Sequence, residues 1–221
     1  MISQNATAAL TAFYDALEQF YGPRNWWPGD TPFEVAVGAI LTQNTSWSNV
    51  EKCIAMIKQH DCMDPRRLTA LPEEKLKTLI RSSGYYNQKA KKLIGFLDFL
   101  NKEYDSDMDT MKRVPLEKLR SQLLALHGIG PETADSILLY ALDKPVFVVD
   151  AYTRRVLSRH HLIDPAYDYE TIRLFFEYNL DRDVRLYNEY HALIVNVGKD
   201  FCRTKPCCEV CPLRLFLSAG Q

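Results

Sequence analysis

Leu126-His127-Gly128-Ile129-Gly130-Pro131-Glu132-Thr133-Ala134 places a Gly-x-Gly turn between two stretches whose apolar residues recur at helical spacing. Pro131 suits the first turn of the second helix, where a missing N–H is not needed. Two glycines let the backbone approach something closely, and exposed turn amides at a helix N-terminus form a site for an anion. In a DNA binder that anion is a backbone phosphate. Taken alone, the segment reads equally well as a plain turn between two helices.

The same periodicity extends in both directions. Leu116, Leu119, Leu123 and Leu126 precede the turn, and Ala134, Ile137, Leu138 and Ala141 follow it. Val50, Cys53, Ile54 and Ile57 repeat the pattern, as do Tyr187, His191, Ile194, Gly198 and Phe201. Period-two alternation is nearly absent, and the β-rich run Val146 to Val149 is short. The fold is therefore expected to be all-α. Breaks at Gly22-Pro23, Pro28-Gly29-Asp30, Asp64-Pro65, Leu71-Pro72, Ser83-Gly84, Val114-Pro115, Gly128 to Pro131, Lys144-Pro145 and Asp164-Pro165 leave about nine or ten helices. No internal repeat or long linker separates two lobes, so a second domain has to be assembled from both chain ends around a central block.

The 221 residues, 47% of them hydrophobic, suffice for a buried core. With 25% charged residues, 9 Gly and 11 Pro, neither a disordered nor a fibrous chain fits. The 27 basic and 28 acidic residues give a net charge of −1, so any basic surface is local. Asp15 and Glu18 lie in an amphipathic N-terminal stretch unlike a secretory signal, and no apolar run approaches the roughly 18 residues that span a bilayer. A soluble, cytoplasmic protein without membrane contact is expected. Of the six cysteines, Cys202, Cys207, Cys208 and Cys211 crowd together, which in a reducing compartment reads as metal ligation. Cys53 lies on an apolar helical stripe as a small core residue, and Cys62 has no ligand-like spacing.

After Val146-Phe147-Val148-Val149, Asp150 stands at the head of a helix running through Ala151-Tyr152-Thr153-Arg154-Arg155-Val156-Leu157. Most aspartates so placed only cap their helix. The ordered set L-x-G-I-G-x-x-T-A-D, V-V-D-x-x-x-x-R-V and a terminal cysteine cluster, however, resembles the helix-hairpin-helix DNA glycosylase superfamily, the endonuclease III and MutY relatives, over nearly the whole chain. Leu41-Thr42-Gln43-Asn44-Thr45 and Gly84-Tyr85-Tyr86-Asn87-Gln88-Lys89-Ala90 are similar to the family's two loops that enter the duplex.

The resemblance implies two helical domains, a six-helix block over 29–144 and a second domain from 1–28 and 145–221, with the active site in the cleft between them. It implies that Asp150 is the catalytic carboxylate, stabilising positive charge on the deoxyribose as the base leaves and orienting or activating water. Gln43 would fill the gap left by the flipped nucleotide, and Tyr85 would wedge the opposite strand. A helix cap and a surface aromatic are the plainer readings of these two. Asn87, Lys89, Gly128, Ile129, Gly130, Thr133 and Arg154 complete the expected contacts to damaged double-stranded DNA. Lys91, Lys92, Arg155, Arg159, Lys199, Arg203 and Lys205 supply further local charge, some of it for phosphates. A monomer is expected.

Family members that also cut the backbone carry a lysine two positions after the hairpin's last glycine, where it forms a Schiff base with the sugar. Here Glu132 occupies that position, so a monofunctional enzyme without lyase activity is expected. Trp26, Trp27 and Pro28, with Trp47 after the Gln43 loop, resemble the 3-methyladenine branch, whose aromatics stack on the flipped purine. A cationic alkylpurine gains about 0.5–2 kcal/mol from such stacking. Ordinary core packing is the alternative for these tryptophans. The expected function is excision of alkylated purines such as 3-methyladenine. The alternatives are a glycosylase for oxidised pyrimidines or mispaired adenine, and a non-catalytic DNA-binding iron–sulfur protein.

The family's iron–sulfur loop reads Cys-x6-Cys-x2-Cys-x5-Cys. In this chain the first spacing, Cys202 to Cys208, is one residue short, and Leu217 stands where the last cysteine belongs, leaving Cys207 as the extra thiol. The resemblance implies a [4Fe–4S] cluster on Cys202, Cys207, Cys208 and Cys211, with zinc or a metal-free loop as alternatives.

Overall fold

A computed structural model describes residues 4–24 and 26–217, and among them the regular elements are helical only. In chain order these are α1 (Gln4–Tyr21), α2 (Pro32–Leu41), α3 (Trp47–Gln59), α4 (Pro65–Thr69), α5 (Glu73–Leu79) and α6 (Tyr86–Tyr104). They are followed by α7 (Met108–Lys112), α8 (Leu116–Leu124), α9 (Pro131–Ser136), α10 (Ala151–Arg159), α11 (Tyr169–Asn179) and α12 (Val184–Asp200). A π turn, Ile137–Ala141, continues α9. The excess over the expected number comes from α4 and α7, five residues each. Neither is long enough to show a helical repeat in sequence, but Asp64 caps the first by accepting from the Arg66 and Arg67 amides and Asp107 caps the second through Asp109. Among the described residues no helix is long and apolar enough to cross a membrane.

The chain divides into two compact units, Trp27–Lys144 and the two ends, Met1–Trp26 with Pro145–Gln221. The division falls before Trp27 rather than at the expected Gly29, so Trp27 and Pro28 belong to the central unit.

The central unit is built around α2. Thr31 accepts from the Glu34 amide and Pro32 takes the first turn, which fixes the helix start. Every residue from Phe33 to Leu41 is buried, and apart from Glu34, which pairs with Lys58, the run is apolar on all sides and has to be enclosed. It packs against α3, α6, α9 and the π turn. The α8–α9 hairpin is braced by Arg120, whose Nε and Nη2 donate to the two carboxylate oxygens of fully buried Asp135 at 2.7 and 3.0 Å. At its turn Gly128 has φ 79°, and a Cβ there would lie 2.6 Å from Lys92 Cε. Ile129 is buried and anchors the turn.

In the terminal unit α1 packs on α11 and α12, and α10 on α12. The crossing of α10 and α12 is close because Gly198 has no side chain: a Cβ would stand 2.5 Å from Tyr152 Cδ1. Val146 to Val149 are all buried but form no strand. The Phe147 amide donates instead to the Glu177 carboxylate at 3.1 Å, and the Phe147 ring stacks on Phe176 at 3.7 Å. Glu177 is charge-balanced by Arg173 and Arg182. This buried segment delivers the chain to Asp150.

Candidate active site

Among the described residues five aspartates cap helix N-termini with their side chains: Asp64, Asp107, Asp150, Asp168 and Asp183. Four are exposed, whereas the Asp150 side chain is only 13% exposed. Its Oδ1 accepts from the Thr153 amide at 2.7 Å, and its Oδ2 faces His191 Nε2 at 3.6 Å. Burial pushes this carboxyl up, but the charge and proximity of His191 and the Thr153 amide outweigh it and hold the group below its usual range. A buried carboxylate kept ionised beyond the needs of capping can face a developing cation.

The hairpin presents Gly128 and Gly130 on the surface of the central unit. Gln43, in the turn after α2, is tied to it: Nε2 donates to Thr133 Oγ1 at 3.0 Å and to the Gly128 carbonyl at 3.4 Å, while Lys92 Nζ donates to Gln43 Oε1. Thr133 is thereby a buried partner of Gln43. Tyr85 takes a left-handed conformation, φ 47°, ahead of α6 and is 71% exposed, and Asn87 is exposed beside it. Glu132 is exposed in the first turn of α9, where a carboxylate favours the positive helix end.

One expected DNA contact is corrected. Lys89 is only 2% exposed; its ammonium donates to the carbonyls of Leu41 and Ser83, so it cannot lie along a phosphate. The Arg154 guanidinium donates to the Tyr167 carbonyl, tying α10 to the loop before α11.

Trp27 and Trp47 meet edge to face, ring centres 5.1 Å apart, with Tyr140 of the π turn 4.9 Å from Trp27. Trp27, Trp47 and Tyr140 are each half-buried and keep some exposed surface. Trp47 and Pro28 also border a surface cleft of about 280 Å³. Trp26 belongs to the terminal unit, where Lys199 Nζ stands 5.8 Å from its ring centre.

Cys202, Cys207, Cys208 and Cys211 line one cavity of about 230 Å³, walled also by Val156, Val197 and Leu217. Cys202 and Cys211 are buried and Cys207 is exposed. Burial, reinforced by Cys202 and Cys208 nearby, pushes the Cys211 thiol up. Arg159 donates to Cys202 Sγ at 3.3 Å, and Arg155 to the Cys202 carbonyl at 2.6 Å. Both arginines, expected among the local charges for DNA, hold this loop. Among the described residues no group of three or more His, Cys, Asp or Glu is placed to hold a single metal ion.

Sequence reasoning missed two members of these arrangements. His191 sits on the apolar stripe of α12 and reads as core; its only signal is a titratable ring two helical turns from Gly198 on the same face. Tyr140 stands outside the apolar repeat Ala134, Ile137, Leu138 and Ala141, and the π turn that carries it leaves no trace in composition.

A family model, the HhH-GPD superfamily of base excision DNA repair proteins, matches residues 37–180. The chain is 46% identical over 217 residues to MJ1434 of Methanocaldococcus jannaschii, provisionally a DNA repair glycosylase, covering 97% of this chain and 98% of that protein. It is 30% identical over 193 residues to endonuclease III of Thermotoga maritima, covering 87% and 84%. Among solved structures, the H. pylori 3-methyladenine DNA glycosylase MagIII bound to 1,N6-ethenoadenine is similar with a TM-score of 0.74 and 30% identity, over 88% of this chain and 97% of that one.

Proposed function

The chain belongs to the HhH-GPD superfamily of base excision DNA repair proteins, and from that premise we propose that this DNA repair glycosylase is monofunctional and excises alkylated purines such as 3-methyladenine from double-stranded DNA. The half-buried cluster of Trp27, Trp47 and Tyr140 carries the lesion class. Ring faces that keep some exposure can stack on a flipped base, and a cationic alkylpurine gains most from them. The likeness to MagIII supports the same class. The identity to an endonuclease III supports a second reading, excision of oxidised pyrimidines or mispaired adenine.

In the proposed reaction the hairpin amides take a DNA phosphate and Gln43 fills the gap in the stack. Loss of the base leaves positive charge on the sugar, which the Asp150 carboxylate stabilises while it orients water for attack. An alkylated purine carries positive charge and departs neutral, so no strong general acid is required. With Glu132 at the lyase position, no amine is supplied there for a Schiff base.

The reading of a [4Fe–4S] cluster at the cysteine loop is supported by four thiols bordering one cavity and by Arg159 donating to one of the sulfurs. Cys202, Cys207, Cys208 and Cys211 would hold it, and when bound it would order the C-terminal loop. Exposed Lys199 before that loop and exposed Arg203 and Lys205 within it would be available to phosphates.

The deciding experiment is chromatography of bases released from methylated DNA and from oligonucleotides bearing oxidised or mismatched bases. Release of 3-methyladenine with the other substrates untouched supports the proposal, and release confined to an oxidised pyrimidine or to adenine overturns the lesion class.

A further inference from the structure

Asp150 is pinned at one oxygen only by its own helix. Oδ1 is committed to the Thr153 amide at 2.7 Å. A carboxylate held at one oxygen still has a broad, soft torsion about its last side-chain bond. The second oxygen, Oδ2, faces His191 Nε2 at 3.6 Å. That imidazole is itself fixed: it is buried on α12, with the Phe147 ring edge-on at 6.4 Å. Its placement follows from the close crossing of α10 and α12, since Gly198, which admits Tyr152, lies two turns along the same face of α12.

We infer that His191 is a positioning residue for base excision, fixing the plane of the Asp150 carboxylate through Oδ2 so that its charge is aimed at the sugar. The inference rests on the reading of Asp150 as the catalytic carboxylate. His191 acts through Asp150, so its loss lowers the rate of the chemical step and leaves lesion binding alone. A displacement of about 1 Å in a reacting group costs on the order of 100-fold.

The test is single-turnover base release across protein concentrations, using a duplex with a lesion that the wild type excises. His191→Phe keeps the ring footprint without nitrogen, and His191→Gln carries an amide nitrogen with reach similar to Nε2. His191→Phe is expected to lower the saturating rate on the order of 10- to 100-fold with the half-saturating concentration unchanged, and His191→Gln to restore most of it. Wild-type rates in His191→Phe, equal loss of binding and rate, or a Gln variant no better than Phe overturns the inference. If His191→Phe does not fold, the same comparison is made between His191→Gln and the shorter His191→Asn, equal rates in the two counting against positioning. Asp150→Asn runs alongside: an active Asp150→Asn fails the reading of Asp150 itself, whereas an inactive one beside a fully active His191→Phe fails only the role of His191.

Discussion

Lys89 Nζ lies 2.9 Å from the carbonyl oxygen of Leu41 and donates to it, and the same ammonium donates at 2.5 Å to Ser83. One buried cation thus joins the end of α2, where the Gln43 turn begins, to the turn that presents Tyr85. Burial holds the Lys89 pKa down, so between that lowered value and the ordinary one near 10.4 the unfolded chain binds more protons and stability from this group rises with pH. Lys89→Met leaves two carbonyls without their donor. A loss on the order of 1–3 kcal/mol is expected, read as a lower melting temperature. An unchanged melting temperature would show that water replaces the ammonium.

Gly128 and Gly130 make a matched pair. At Gly128 a Cβ meets Lys92 Cε at 2.6 Å and φ is 79°, whereas at Gly130 nothing lies within 4 Å and φ is −88°. Gly128→Ala is expected to lose about 1–2 kcal/mol from the left-handed backbone alone, and Gly130→Ala much less. Equal losses in denaturant titrations would contradict the account of the turn.

The contrast between these glycines was legible only in part. The Gly-x-Gly turn, the helical repeats around it and the cap at Asp150 follow from local chemistry, because each involves residues a few positions apart. Lys89 was misplaced because a lysine inside a polar motif reads as surface charge, and only packing reveals two carbonyls waiting for it. Trp26 and Trp27 are neighbours in sequence, yet the boundary between units falls between them. His191 escaped because a titratable ring on an apolar stripe has the spacing of a core residue, and its partner lies 41 positions earlier.

For the cysteine loop, Cys208→Ala and Cys211→Ala are expected to lose bound iron and acid-labile sulfide together with soluble yield, and Cys207→Ala to lose iron too if it is the fourth ligand in place of Leu217. Stoichiometric zinc without sulfide in the purified protein would contradict the cluster.

With Glu132 in the lyase position, borohydride is expected to trap no covalent complex on damaged DNA, and the abasic product stays uncut until alkali is added. A trapped complex would show that another lysine has taken the role.

Asp150 bears the central claim. Since its carboxyl is held below the ordinary value near 3.9, the stabilising contribution of its ionised form is fully present above that value and is lost only as pH falls through the lower folded one. Excision should therefore show no acid limb from this group between about pH 5 and 7. The most direct measurement is single-turnover release of 3-methyladenine by the wild type and by Asp150→Asn, which keeps the shape and removes the charge. The account predicts a rate lower by orders of magnitude in Asp150→Asn, with folding and lesion binding retained; near-normal release by Asp150→Asn would contradict it.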